Sequence, residues 1–179
     1  MPETFSTVVL YYNKDAFDTA GFDYPSANWT WPEAVDAGKS IMATNEGMWG
    51  IHSGIQFWEF YKKAAQHNCQ FFNEDQTEVL INSPECVSAL ETMLSLLDEG
   101  VMPSNEEMAG VSEGDMFTNG ELGMLVSGIW MFGAFEDAPF NWDIQVEPGM
   151  DTQATHFFAN AVNVFVGTQH PEEAYQWVK

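Results

Sequence analysis

Apolar and polar positions along the chain fall into short runs that switch between the period of a strand and that of a helix. Thr4 to Tyr12 is apolar and rich in β-formers, a strand candidate. Asn13 or Asp15 is placed to cap a short helix through Ala20, which Gly21 ends. Tyr24 to Trp29 is a loop. Thr30-Trp31-Pro32-Glu33 has the residues of a helix start, with Thr at the N-cap, Glu three positions on and Pro in the first turn; the helix is expected to reach about Ala43. Gly47 to Gly54 holds a short strand, MWGIH, and a helix from about Gln56 to His67 follows. Cys69 to Ile81 reads as two strands about Asn73-Glu74-Asp75-Gln76, a hairpin. Ser83-Pro84-Glu85 starts the clearest helix, with Val87, Leu90, Leu94 and Leu97 on one face and Gly100 as its stop.

The stretch Met116 to Phe135, MFTNGELGMLVSGIWMFGAF, organises the rest. A short helix from Glu113 to Asn119 ends at Gly120, Leu122 to Val126 is a buried strand, and Gly128 breaks the run two residues before Trp130. Asp143 to Val146 is a further strand, closed by Glu147-Pro148-Gly149. Phe157 to Val166 is another, and Pro171 opens the last helix. This alternation of helices and strands predicts an α/β fold. In open α/β sheets ligands gather outside the carboxyl ends of strands. A tryptophan just past a glycine there can offer a flat apolar face to a cleft, which suits the C–H face of a sugar ring. Composition alone favours the plainer reading of Trp130 as core, since large aromatics bury well.

The 179 residues are 45% hydrophobic and 15% aromatic, enough to bury a core. Acidic residues outnumber basic ones 27 to 5, giving a formal charge of −22. That excludes nucleic-acid binding through phosphate contacts and disfavours an anionic membrane surface, leaving a neutral or cationic ligand. The two cysteines, Cys69 and Cys86, form neither a CxxC nor a zinc spacing, and whether they pair stays open. No run has transmembrane length and no basic n-region follows Met1. PEEAYQWVK stops without a C-cap, so the chain reads as an excised piece. GxSxG, Walker A, GxGxxG and HExxH patterns are missing. Asn73 to Thr77 lacks the glycine and terminal glutamate of a calcium loop and is read as a polar turn. Neither a metal nor a cofactor is expected. What stands out is aromatic supply near loop ends: Tyr11-Tyr12, Trp29, Trp31, Trp49, Phe57-Trp58, Trp130 and Phe157-Phe158. Stacking with a few amides or carboxylates is how a neutral polyol is held.

Several segments occur together in one order: VLYYNKDAFDTAGFDYP from Val9, TWPEAVDAGKSI from Thr30, FFNEDQTEVLINSPECVSALETMLSLLDEGVMP from Phe71, FTNGELGMLVSGIW from Phe117, FNWDIQVEPG from Phe140 and HPEEAYQWVK from His170. This set resembles the family 1 extracellular solute-binding proteins of ABC importers, the maltose-binding-protein-like group. The resemblance covers nearly the whole chain. It implies a two-lobed clamp and places the chain mainly in the C-terminal lobe, a mixed sheet flanked by helices. Residues 1–149 would be the lobe core, entered and left through hinge strands. Residues 150–179 would be a return segment that rejoins the first lobe. The implied function is capture of a sugar or oligosaccharide for delivery to the transmembrane subunits of an ABC permease, without chemistry. The setting would be the extracellular or periplasmic face of a bacterial membrane, as a monomer anchored through an N-terminal segment outside this chain. By position, Trp130 matches the stacking tryptophan of the family's xGxW segment, and Gln56, Phe57 and Trp58 its cleft-facing polar and aromatic stretch. His156 and Asn160 fall where relatives have a glycine-rich ligand loop, although the glycines are absent here. Of Tyr11 and Tyr12, on the hinge strand, one is expected to face the cleft and the other the core. The competing readings are a glycoside hydrolase fragment using a carboxylate pair and a standalone carbohydrate-binding module.

Overall fold

The computed structural model describes residues 2–179, leaving aside the side chain of Pro2. Its spine is β1, Pro2–Asn13, whose two halves do different work. From Val8 onward β1 pairs with β3 (Leu122–Gly128), and from Leu10 onward also with β4 (Trp142–Gln145), antiparallel to both, with Leu10 opposite Val126 on one side and Gln145 on the other. β2 (Trp49–His52) extends the sheet beside β3 in parallel, giving the order β2-β3-β1-β4. Residues 2–7 of β1 pair instead with β5, Phe157–Ala161, as an antiparallel ribbon. The sheet is therefore mixed, and helices flank it.

Strand alternation sorts β1 onto two cores. Val8, Leu10 and Tyr12 point into one, built with α1 (Lys14–Ala20) and α2 (Trp31–Thr44); Tyr11 points into the other, with α5 (Glu113–Thr118) and the 3₁₀ turn Ile129–Ala134. Local chemistry sets the helix starts. The Asn13 side chain accepts the Ala16 amide at 3.0 Å, so Asn13 rather than Asp15 caps α1. The Glu33 carboxylate accepts from the Thr30 amide at 2.8 Å and from its hydroxyl at 2.7 Å. α2 lies unusually close to β2, because a Cβ on Gly50 would stand 2.5 Å from the Gly38 Cα.

Three expectations change. α4, Pro84–Asp98, buries Cys86, Ala89, Met93 and Leu96 and leaves Val87, Leu90 and Leu94 exposed, so the packed face lies one residue round from the leucine stripe. Cys86 is tied to Cys69 by a disulfide with Cα atoms 4.8 Å apart, just past the end of α3 (Phe57–Gln66). That bond and small Ala89 set the face on which α3 and α4 meet. Residues 69–81 form no pair of strands. One bridge, Phe72 to Val79, closes a turn in which the Asn73 carboxamide oxygen accepts the amides of Thr77 at 2.8 Å and Glu78 at 3.1 Å. The side chain thus takes up amides that a ladder would have used. The third concerns the end of the chain. β5 stops at Ala161 rather than near Val166, and α6, Pro171–Val178, buries no residue.

Candidate functional site

β3 ends at Gly128, and the indole of Trp130 folds back over that glycine so closely that a Cβ there would sink into the ring. Gly128 is thus a seat for the tryptophan. Trp130 is 57% exposed, which sets aside the core reading. Phe158 lies edge-on to its ring at 5.7 Å. Below the seat, the Tyr11 hydroxyl donates to the Gly128 carbonyl at 2.8 Å and fixes the strand end.

Trp130 and Phe158 form one wall of a cavity of about 760 Å³. The facing walls come from the end of β2 and the start of α3: His52, Gln56, Trp58 and Glu59, with Glu113 from α5. The volume lies within the range of small-molecule sites, and the lining combines aromatic faces with a few polar groups. Burial holds the His52 imidazole below its ordinary pKa, partly opposed by the Glu113 charge. Among the described residues the buried His52 Nδ1 has no hydrogen-bond partner, as is also true of Ser53 Oγ and of Glu59 Oε2, which has only its ion pair with Lys62.

Behind Glu59 lies a buried ionic cluster. Lys62 Nζ is 2.7 Å from Glu59 Oε2 and 2.7 Å from Glu147 Oε2, and Lys63 Nζ is 3.1 Å from Glu147 Oε1. The Lys63 ammonium also sits 3.0 Å from the centre of the Trp31 ring. Burial pushes the Lys63 ammonium down to about 8, against the pull of Glu147. The Trp31 indole N–H donates to Gln66 at 2.8 Å, and Gln66 donates to the carbonyls of Pro148 at 3.0 Å and Ala154 at 2.9 Å. The helix that carries Gln56, Trp58 and Glu59 is in this way tied to the segment 147–154.

Of the residues expected at a site, Trp130, Trp58 and Gln56 line the cavity. Phe57 lies beside it, packed edge-on against Trp58 and Tyr61 at 5.1 and 5.9 Å. His156 hydrogen-bonds the Trp58 carbonyl, and its ring lies 5.2 Å from Phe158, so it backs two walls without being one. Asn160 is engaged in the β1–β5 ribbon, donating to Thr4 at 2.9 Å. Tyr11 is a correction. Both it and Tyr12 are buried, Tyr11 fully at 0% exposure, because β1 is covered on both faces and alternation leaves neither side open. Sequence reasoning named Phe158 only among the aromatics near loop ends and missed His52, Glu59 and Glu113. The alternation of exposed Phe157 with inward Phe158 was a usable signal. Nothing marked Glu59 and Glu113 among 27 acids.

The model of the bacterial extracellular solute-binding protein family matches residues 1–179. The chain belongs to that family. Its architecture is shared with Lmo0181 of Listeria monocytogenes, an ABC substrate-binding protein solved in complex with cycloalternan, at 45% identity and a TM-score of 0.92 over 99% of this chain and 46% of that one. The cyclic α-maltosyl-1,6-maltose binding protein of Arthrobacter globiformis is 27% identical with a TM-score of 0.71, over 88% of this chain and 41% of that one. The sn-glycerol-3-phosphate-binding periplasmic protein UgpB of Brucella abortus is 29% identical over 80% of this chain and 34% of its own length. The chain thus spans less than half the length of these relatives. Among the described residues, no helix is long and apolar enough to cross a membrane.

Proposed function

We propose that this chain forms one wall of the solute cleft of an ABC importer's binding protein, and that its solute is an oligosaccharide, cyclic in the manner of cycloalternan. The observation that carries the reading is the Trp130 plate, seated on Gly128 and opening on a 760 Å³ cavity with Trp58 and Phe158. Aromatic planes take the apolar faces of the sugar rings, while Gln56 and His52 meet hydroxyls. Phe57 and His156 brace Trp58 at the rim. The 45% identity with the cycloalternan-binding protein supports this choice of solute.

In this reading residues 1–149 are the lobe body and residues 150–179 return toward a second lobe that supplies the opposing wall. The split pairing of β1, with the sheet in one half and with β5 in the other, supports that division. Closure about the hinge presents the loaded, monomeric protein to the permease subunits at the outer face of the bacterial membrane.

Calorimetry of the full-length gene product with cycloalternan tests this. Trp130→Ala is expected to cost about 2 kcal/mol of binding, the scale of a buried aromatic anchor. Unchanged affinity with an intact circular dichroism spectrum would remove the plate from the site. The rival reading, a glycoside hydrolase, draws on Glu59 and Glu113 lining the same cavity. Hydrolysis products from a labelled oligosaccharide would decide in its favour.

A further inference from the structure

Among the described residues no lysine or arginine lines the cavity. The chain has no arginine and only five lysines. Lys14 sits 5.3 Å from the centre of the Tyr24 ring, and Lys39 pairs with Glu99 at 2.6 Å, both away from the cavity. Lys179 ends the chain. The two lysines near the cavity, Lys62 and Lys63, have side chains only 1% exposed. Of these Lys62 is the one behind the wall, and between it and the cavity stands Glu59, which lines the cavity and holds Lys62 Nζ at 2.7 Å. On its far side Lys62 is held again by Glu147 at 2.7 Å. Two lysines and two glutamates cancel, so the cluster offers the cavity no net positive charge. Glu113 faces the same space and adds a negative one.

We propose that Glu59 is a specificity-determining residue: it masks the Lys62 ammonium behind the cavity wall and so restricts the solute to uncharged molecules, excluding phosphate- and carboxylate-bearing sugars. This rests on the saccharide reading above and narrows it. An anionic group entering here meets Glu59 and Glu113 and gains no charge-assisted bond to offset its lost hydration. A neutral hydroxyl has no such penalty, and it can donate to the Glu59 carboxylate that lines the cavity. Specificity is built here by repulsion as well as by fit. Removing the Glu59 charge would leave two ammonium groups against one carboxylate, a net positive charge just behind the wall.

The test uses the full-length gene product and two probes: cycloalternan, and cycloalternan with one primary hydroxyl oxidised to a carboxylate. Affinities are read by calorimetry at low ionic strength, where charge effects are largest. Wild type is expected to favour the neutral probe by at least about thirty-fold, and Glu59→Gln to narrow that gap by about ten-fold. Glu74→Gln, an equal change of net charge in the exposed 73–77 turn, is expected to leave the gap in place. The double variant Glu59→Gln/Lys62→Met, which releases no cation, is expected to restore it; a purely structural role for Glu59 would not produce that restoration. Equal binding of both probes by wild type overturns the proposal. So does a gap that persists in Glu59→Gln, or one that stays narrow in the double variant. If neither probe binds wild type, the saccharide reading falls and this inference with it; if the neutral probe binds and the gap does not move, only the inference falls.

Discussion

Phe117 and Trp177 are both large aromatics on short helices, yet Phe117 is 0% exposed and Trp177 is 84% exposed. Phe117 sits on α5, which packs against β3, and rings of Phe135 and Phe140 lie 4.8 and 5.4 Å away. Trp177 sits on α6, which buries nothing. The same contrast separates the two halves of β1. From Leu10 onward the strand has a neighbour on each edge and a layer on each face. Residues 2–7 have only β5, and Phe5 and Phe157 stack at 5.7 Å on a face left open. Backbone pairing alone therefore does not make a core. A two-stranded ribbon needs a second layer to be stable on its own, and residues 8–149 have one where residues 157–178 do not. The joint between the regions is polar: Glu147 anchors to Lys62 and Lys63, and Gln66 holds the Pro148 and Ala154 carbonyls.

The largest effect expected from breaking this contrast is in the body. Phe117→Ala should cost about 4 kcal/mol, as truncations of buried phenylalanines do, read as a lowered urea midpoint; a loss under about 1 kcal/mol would mean that the second core is not what stabilises the body. Glu147→Ala at the joint should cost about 3 kcal/mol, because it leaves Lys62 and Lys63 buried with one carboxylate between them. The same joint should respond to pH. The Lys63 ammonium, at about 8 in the folded protein against 10.5 unfolded, is protonated in both states below pH 8, where its unfavourable burial is fully felt. Between those values the unfolded chain binds the extra proton, so this group makes stability rise with pH. Burial raises the Tyr11 phenol above its ordinary 10.0, which acts the other way above that pH. The expected signature lies between about pH 8 and 10: melting temperature climbs relative to a Lys63→Met variant, and parallel curves would refute it.

Reduction of the Cys69–Cys86 bond comes next. It frees a loop of 17 residues, for which chain entropy predicts about 3 kcal/mol at most. The penalty should appear as a lower melting temperature in dithiothreitol, and the Cys69→Ala/Cys86→Ala variant should show the same loss without reductant. A protein indifferent to both would show that packing of α3 on α4 suffices without the bond.

What the sequence revealed follows the range of the interactions. The starts of α1 and α2 were readable because the capping groups of Asn13, Thr30 and Glu33 lie within three residues of their partners. The Gly128-x-Trp130 spacing was visible locally, but composition favoured Trp130 as core, and its exposure at the strand end was not readable from it. Nor was the buried face of α4 readable. Val87, Leu90 and Leu94 make a better apolar stripe than Cys86, Ala89 and Met93, and the distant partners of that face, Cys69 among them, are not visible in the local pattern. Burial of both Tyr11 and Tyr12 required knowing that layers cover both sides of β1. The pairing of Lys62 with Glu147 spans 85 positions, and no local pattern marks either residue as a partner.

The smallest expected effect is the most pointed. Trp177→Ala in this 179-residue chain removes a side chain that is already in solvent, so its stability should change by less than about 0.5 kcal/mol. The proposed division at residue 149 makes a different demand on the full-length gene product, where residues 150–179 would lie against the first lobe. There the same substitution should cost about 3 kcal/mol, as for a buried tryptophan. The two measurements together separate two explanations of an exposed aromatic helix. If Trp177 is a surface residue by nature, both values are near zero and the division of the chain is wrong. If only the longer protein is destabilised, the apolar face of α6 has a binding partner within its own polypeptide, and the contrast between body and tail is one of context rather than of sequence.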